Sequence, residues 1–406
     1  MYKYDCRSCG STDLESVVSL GKSPLANNLL DNINQEDNLY PLELMHCTQC
    51  HNCQLSYTAP ASEMFEHYLY VSSTAKSFRD HFKETAINYI ESFGLNEKSL
   101  VIDIGSNDGI ALVPLKERGV RVLGVDPAKN VAEIANQRGI TTIVDYFNTE
   151  VAQQIEKDHG KADIITASNV FAHSDFLVEI INSAFNIMKD DGKFIVEVQY
   201  LLDTINDLTF DNIYHEHVNY WSVISLHNFC EKLGYQIYKV EHINTHGGSI
   251  RVYIDKGNTA QDESVNAFLN LEKSLGLDSD FAYESFGNRI MIAKENTIRN
   301  IKKLKAKGLK LVGYGSPAKA TTLLNYFEIT NEHLDYIIDD NPLKHNKFVP
   351  GVKIPIFSRE KLKESIPDVI VVMAWNFFED IKKSNQHLID EGIRFVSIKE
   401  LQNLTL

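Results

Sequence analysis

The chain has 406 residues, enough for roughly two to three domains with ample core. Hydrophobic residues make up 43% and charged residues 23%, ordinary for a soluble globular protein, and no run approaches the roughly 20 apolar residues that a bilayer requires. A formal net charge of -15 argues against a nucleic-acid partner, because phosphate contacts need a basic face that the chain shows nowhere. The first residues, Met1 to Cys6, are not a signal peptide, so a cytoplasmic location is expected.

Five of the six cysteines precede residue 54. Cys6-Arg-Ser-Cys9 and Cys47-Thr-Gln-Cys50 are two CxxC pairs, each suited to a tight turn that offers two thiolates to one ion. Together they predict a four-thiolate structural zinc site. A disulfide reading is weaker, since a reducing cytosol disfavours it and adjacent CxxC pairs make poor bridges. Cys53, His46 and His51 are read as non-ligands, and Cys230, alone in the helical pattern of residues 226–233, as core.

Tyr68, Tyr70, Ser72 and Ser73 form a polar cluster, open to packing and capping or to chemistry. The serines and Thr74 read as the cap of a helix running to about Phe93. An apolar run, Val101, Ile102 and Ile104, then breaks into the turn Asp103-x-Gly105-Ser-Asn107-Asp-Gly109. Gly105 and Gly109 permit torsions that side chains forbid, and asparagine tolerates the left-handed region. A second strand over residues 122–126 ends in Asp126, about 20 residues past the glycines, where a doubly wound fold hydrogen-bonds a ribose hydroxyl. Nucleoside binding is expected here. A dinucleotide fingerprint would carry glycine in place of Asn107; the pattern instead resembles motif I of the class I S-adenosylmethionine methyltransferases.

Helix and strand signals then alternate: a helix over 131–138, strands at 141–144 and 162–167, a helix over 177–188, a turn at 189–192 and a strand over 193–198. Ligands of such folds sit at the carboxyl ends of strands, which gives positional support to Asn169 and His173 and to the polar strand end from Glu197 to Tyr200. The densest run is Phe210-Asp-Asn-Ile-Tyr214-His215-Glu216-His217-Val-Asn219-Tyr220. Such a density of titratable groups suits proton transfer, with an ordinary polar loop as the bland alternative. His215 and His217 stand two apart rather than four, which argues against a helical zinc pair. In an extended chain Tyr214 and Glu216 would share one side and the two histidines the other.

His246-Gly-Gly-Ser-x-Arg251 reads either as a simple turn or as a lining of the same cleft. Residues 294–307 have helical spacing, and residues 310–320 read as strand, Gly313-x-Gly315-x-x-Ala318 turn and helix, a second Rossmann-type opening. Strands follow at 336–340 and 369–376. Lys319, near the helix N-terminus, is placed to meet a diphosphate. Bound NAD and a cofactor-free version of the fold are both open readings of this part.

In order, the CxxC pairs, Tyr-x-Tyr-x-Ser-Ser, Asp-Ile-Gly-Ser-Asn-Asp-Gly, Asn-Val-Phe-Ala-His, Tyr-His-Glu-His and Gly-Tyr-Gly-Ser-Pro-Ala-Lys resemble the sugar C-methyltransferases of deoxysugar biosynthesis over essentially the whole chain. The resemblance implies an α/β fold: a zinc-binding domain over 1–60, a class I methyltransferase Rossmann-like core over 61–255 and a C-terminal Rossmann-like domain over 256–406. It implies S-adenosylmethionine as methyl donor, zinc held by Cys6, Cys9, Cys47 and Cys50, and a nucleotide-linked 4-keto-6-deoxyhexose methylated at carbon 3. The donor falls to Asp103, Gly105, Asn107, Gly109 and Asp126, and the substrate to Tyr70, Ser72 and Lys319; Arg251 joins the substrate residues only on the cleft-lining reading of its own turn. The catalytic residues carried over are Tyr68, Asn169, His173, Tyr214, Glu216 and His217. Only the resemblance places the general base on His217 rather than His215. Two departures stand out, the extra thiol of Cys53 and the extra imidazole of His215.

Two classes of function therefore compete. The first is a transferase in which proton removal beside the ketone gives an enolate that attacks the sulfonium methyl; the enolate oxygen needs a donor, for which Tyr214, Tyr68, Asn169 and His173 are candidates. The second is an NAD-dependent nucleotide-sugar oxidoreductase using the Gly313 to Ala318 turn. The transferase is the expected function, in a monomeric chain without nucleic-acid or membrane partners.

Overall fold

The structure, a computed structural model, describes residues 1–60, 63–64, 71–245 and 247–403. Tyr68 and Tyr70 lie outside the described residues. In chain order the first strands are β1 (Leu14–Pro24), β2 (Leu39–Cys47) and β3 (Cys53–Leu55). Next come β4 (Leu100–Ile104), β5 (Arg121–Val125), β6 (Thr142–Ile143), β7 (Ala162–Ser168), β8 (Met188–Gln199), β9 (Asn219–Tyr220), β10 (Gln236–Ile243) and β11 (Ser249–Asp255). The last are β12 (Leu311–Tyr314), β13 (Ile337–Ile338), β14 (Ile356–Phe357), β15 (Val369–Val372) and β16 (Arg394–Ser397).

They form three sheets. The central one has the order β10-β11-β8-β7-β4-β5-β6, parallel from β8 to β6, with β11 and β10 antiparallel. This is the class I methyltransferase arrangement. Every residue of β4 is buried, as expected where helices cover both faces of a parallel sheet. Leu100, Ile102 and Ile104 feed one core, while Val101 joins Ile164 and Ile195 in the other, beneath the helix Lys76–Phe93. The expected turn at 189–192 is the irregular start of β8, where register jumps between Ala162 and Ile164.

The C-terminal sheet, order β14-β13-β12-β15-β16, is parallel throughout. The expected strand at 369–376 stops at Val372, and Trp375 opens a 3-10 turn. The first sheet, β1-β2-β3-β9, is antiparallel and takes its last strand from the run of residues 210–220. One apolar cluster runs through Leu42 and Leu44 of this sheet, Phe210, Ile213 and Tyr220 of that run, and Leu311 and Val371 of the C-terminal sheet. The helix Asp280–Ala306 contributes Phe286 and Ile290 to it, and lies so close to β1 that a Cβ on Gly287 would stand 2.4 Å from the Val17 carbonyl oxygen. Residues beyond 255 still pack on the central core: Val265, Leu277 and Ala282 belong to its cluster.

The expected helix cap is corrected. The helix Lys76–Phe93 begins after Ala75 with no side-chain cap. Ser72 N–H instead donates to Asn107 Oδ1 at 3.0 Å and Ser73 N–H to Asp108 Oδ2 at 3.3 Å, so the serines tie down the glycine loop. No helix among the described residues is long and apolar enough to cross a membrane.

Candidate active site

The four cysteines converge at one end of the first sheet. Cys6 Sγ lies 3.5 Å from Cys50 Sγ and Cys9 Sγ 3.6 Å from Cys47 Sγ, and all four sulfurs lie within 4.8 Å of one another. Tetrahedral zinc with Zn–S near 2.3 Å sets sulfurs about 3.8 Å apart, so the donor set fits the ion. Each pair rides the same turn: Gly10 N–H donates to Cys6 O and His51 N–H to Cys47 O, both at 2.8 Å, with φ of 76° at Gly10 and 60° at His51. His46 stacks on Tyr283, Cys53 lies in the core, and Cys230 is buried in the central cluster. Four thiolates would fill a tetrahedral coordination sphere and leave no open position for substrate, the donor set of a structural zinc. Arg7, inside the first pair, donates Nη1–H to Leu55 O at 2.6 Å and Nε–H to Asp175 Oδ1 at 2.5 Å. Asp175 is two residues past His173, and β3 pairs with β9 just past His217, so the cysteine turn grips the segments that carry both histidines.

At the glycine loop, Gly105 N–H and Ser106 N–H donate to Val125 O at 2.8 and 3.2 Å, and Asn107 N–H to Asp126 Oδ2 at 2.8 Å. Gly105, Asn107 and Gly109 have φ of 68°, 48° and 78°, so asparagine adopts the left-handed torsion expected of it. Each oxygen of Asp126 accepts one backbone N–H, from Asn107 or Ala128, and a carboxylate has further lone pairs to offer ribose hydroxyls. Asp103 is placed differently: it is buried, accepts the Thr166 hydroxyl at 2.6 Å, and desolvation pushes its carboxyl up to about 7.

The run of residues 214–217 is not extended. His217 N–H donates to Tyr214 O at 2.9 Å, closing a turn that puts Tyr214 and His217 together. Asn212 O can only accept, so His217 carries a proton on Nδ1, 3.1 Å away, and in the neutral imidazole this leaves Nε2, 3.0 Å from the Tyr214 hydroxyl, as the acceptor. His173 packs edge-on against His217 at 4.9 Å and donates Nδ1–H to Glu216 O at 2.7 Å; desolvation pushes its imidazole down to about 4, so it is neutral at pH 7. Asn169, at φ 58°, follows β7 with its N–H on Glu197 O at 2.7 Å. His215 turns away, buried against Tyr40 with Nε2–H on Pro41 O at 3.2 Å. Tyr214, His217, His173 and the backbone of Glu216 are thus brought together and His215 is not.

Glu216 meets Asn27, whose amide donates to Oε1 at 2.6 Å; no sequence signal marked Asn27, which reaches the site from the loop after β1. Burial pushes the Glu216 carboxyl up to about 7 against the lowering effect of that bond. The folded carboxyl then binds its proton more tightly than the unfolded one, so this contribution to stability is full below about pH 4.5 and lost as pH rises through about 7. Relative to Glu216→Gln, wild-type stability should fall by roughly 2–3 kcal/mol from pH 5 to pH 8 in urea unfolding. Parallel pH profiles for the two proteins would contradict this.

Arg251, expected at the substrate, is 3% exposed. Its Nη2–H groups donate to Glu197 Oε2 and Thr85 Oγ1, both at 2.8 Å, and Glu197 Oε1 also meets His81 Nε2 at 3.0 Å. The structure places it in an internal ion pair, the partner that a buried guanidinium requires. Gly247 belongs to a turn whose Cβ would stand 3.0 Å from the Trp375 ring. The second Rossmann-type opening has Pro317 at the helix N-cap, with no N–H to offer, and its strand-end acid Asp339 is engaged by Ser316 N–H at 2.7 Å and Lys344 Nζ at 3.3 Å. Lys319 stands on the first turn of the helix Ala318–Phe327, its ammonium 4.8 Å over the Trp375 ring.

Residues 6–65 match the family described as "Putative zinc binding domain", residues 75–240 "Methyltransferase domain" and residues 244–398 "C-methyltransferase C-terminal domain". The chain is 33% identical over 396 residues to the C-methyltransferase NovU of Streptomyces niveus, covering 97% of this chain and 94% of that protein. It is 28% identical over 123 residues to a ubiquinone biosynthesis O-methyltransferase of Pseudomonas aeruginosa, 30% of this chain and 50% of that protein. The solved structure of magnesium protoporphyrin IX methyltransferase from Synechocystis PCC 6803 aligns with 43% of this chain and 81% of its own at 16% identity and a TM-score of 0.34.

Proposed function

This chain belongs to the C-methyltransferase family whose members join a zinc-binding domain, a methyltransferase domain and a C-methyltransferase C-terminal domain, and from that membership we propose that it methylates carbon 3 of a nucleotide-linked 4-keto-6-deoxyhexose. S-adenosylmethionine supplies the methyl group on a sulfonium centre. Asp126 accepts the ribose hydroxyls and the Gly105 to Gly109 loop lies against the rest of the nucleoside.

The observation that carries this reading is the 214–217 turn. A sugar carbon is no nucleophile until a proton is removed from it, and a ketone at the neighbouring carbon makes that proton acidic. His217, held as the Nδ1–H tautomer by Asn212 O, presents Nε2 as the acceptor. As the carbon 3 proton passes to Nε2, the Tyr214 hydroxyl leaves that nitrogen and turns to the carbon 4 oxygen, whose charge it stabilises in the enolate. The electron pair of the broken C–H bond then forms the new C–C bond to the methyl group. The S–CH3 bond breaks with its pair left on sulfur, so that S-adenosylhomocysteine departs and the His217 imidazolium returns its proton to solvent. Glu216 binds a sugar hydroxyl with Asn27, while Asn169 and His173 line the strand end beside them.

The reading is tested by incubating the purified chain with S-adenosylmethionine and a panel of nucleotide-linked 4-keto-6-deoxyhexoses. One member should gain the mass of one CH2, with a new methyl bonded to carbon 3 by NMR. A methyl on oxygen, or acceptance of a sugar without the ketone, would reject it.

A further inference from the structure

Lys319 and Lys399 crowd one indole. Their ammonium groups stand 4.8 and 3.7 Å from the Trp375 ring centre. Lys319 Nζ is buried with no hydrogen-bond partner among the described residues, although an ammonium has three donors to satisfy. The carboxylate acting on both lysines is Asp211, and its Oδ2 already accepts the Trp375 indole N–H at 2.7 Å. Asp207 acts on Lys399 as well, so the charges here are nearly matched. It is Lys319, buried without a hydrogen-bond partner among the described residues on the first turn of the ten-residue helix Ala318–Phe327, whose donors are left for an incoming anion.

Asp211 also sits beside the base. It belongs to the 3-10 turn Phe210–Asn212, whose last carbonyl, Asn212 O, holds His217 Nδ1–H at 3.1 Å. The helix that carries Lys319 holds the next carbonyl as well, through the Thr322 hydroxyl on Ile213 O at 3.0 Å. We propose that Lys319, Lys399 and Trp375 form an anion site for the diphosphate of the substrate, and that the Trp375–Asp211 hydrogen bond links this site to the orientation of His217. The identity of the anion rests on the nucleotide-sugar reading; the site itself does not. Trp375 and Asp211 are positioning residues, acting through Asn212 O, and need not touch the sugar. An anion seated on the two ammonium groups would fix the indole, and through it the turn that sets the histidine tautomer.

The test uses the full-length zinc-loaded chain and inorganic pyrophosphate as probe. By calorimetry, Lys319→Met and Lys399→Met should each weaken pyrophosphate binding roughly tenfold to a hundredfold, the loss of one charge-assisted hydrogen bond, with S-adenosylmethionine affinity unchanged. Trp375→Phe keeps the ring and removes the N–H. It should lower kcat roughly tenfold to a hundredfold at nearly constant KM and shift the nitrogen-15 signals of His217 toward mixed tautomers. Asp211→Asn, which keeps an acceptor for the indole, should recover most of the activity that Asp211→Ala loses. Equal pyrophosphate binding by wild type and both lysine variants overturns the anion site, and unchanged His217 signals in Trp375→Phe overturn the link. Should these variants not fold, pyrophosphate added to wild type must itself move the His217 signals, and their constancy rejects the proposal. Pyrophosphate binding without turnover of any keto-sugar would leave the site standing and reject the substrate reading instead.

Discussion

His217→Asn should bind S-adenosylmethionine and the nucleotide-sugar nearly as well as wild type, yet lose turnover by roughly 10²- to 10⁴-fold, the range over which a positioned base acts. The same variant should lose exchange of the carbon 3 hydrogen with solvent deuterium. Exchange reports proton removal alone, so it separates the base from residues that serve methyl transfer or binding. The neighbours are poorer bases for defined reasons. Desolvation holds His173 down to about 4, so its imidazole attracts a proton weakly at neutral pH. Glu216, pushed up to about 7, has the proton affinity, but its Oε1 is engaged by Asn27 from the loop after β1. His215 faces Pro41 and Tyr40. Exchange persisting at the wild-type rate in His217→Asn would move the role to Glu216, the remaining group of suitable proton affinity.

What the sequence revealed follows a pattern of range. The zinc turns and the glycine loop are short, and their geometry is dictated by the residues within them. Glycine or asparagine supplies the positive torsions at 105, 107 and 109, and Asp126 closes the loop from the next strand. The parallel strands were legible because burial on both faces leaves unbroken apolar runs such as Val369–Val372. The shape of residues 214–217 was not, since alternation describes an extended chain and this segment is a turn fixed from outside. β9 is paired by β3, more than 160 residues earlier, and His217 Nδ1 is held by Asn212 O. Arg251 illustrates the same limit: its residue type suits an anionic substrate, but Glu197 lies directly opposite it across β8 and β11 and takes the guanidinium. Ser72 and Ser73 looked like caps because they precede a helix, and only the fold shows that the glycine loop competes for their N–H groups.

Cys47→Ser is expected to remove the metal and the fold of the first sheet together, and with them catalysis. A serine hydroxyl cannot replace a thiolate as a zinc ligand at neutral pH, and structural zinc contributes about 10–16 kcal/mol to small sites, comparable with the roughly 5–15 kcal/mol that holds a whole domain. The sheet has little else at that end: its apolar cluster there consists of Cys6, Cys47 and Cys50, with Cys9 and Leu14 packed against it. Losing it releases Arg7 from Leu55 O and Asp175, and releases β9 from β3, so the turn that orients His217 loses its outer support while the glycine loop keeps its own hydrogen bonds. The expected result is near-zero zinc by elemental analysis and a largely insoluble protein. Any soluble fraction should still bind S-adenosylmethionine but show no proton exchange at carbon 3. Cys230→Ser, a buried thiol in the central core with no part in the cluster, is the control: it should keep the full zinc content at some cost in melting temperature. A metal-free Cys47→Ser protein that is folded and turns over normally would show that the zinc turn does not support the catalytic segment.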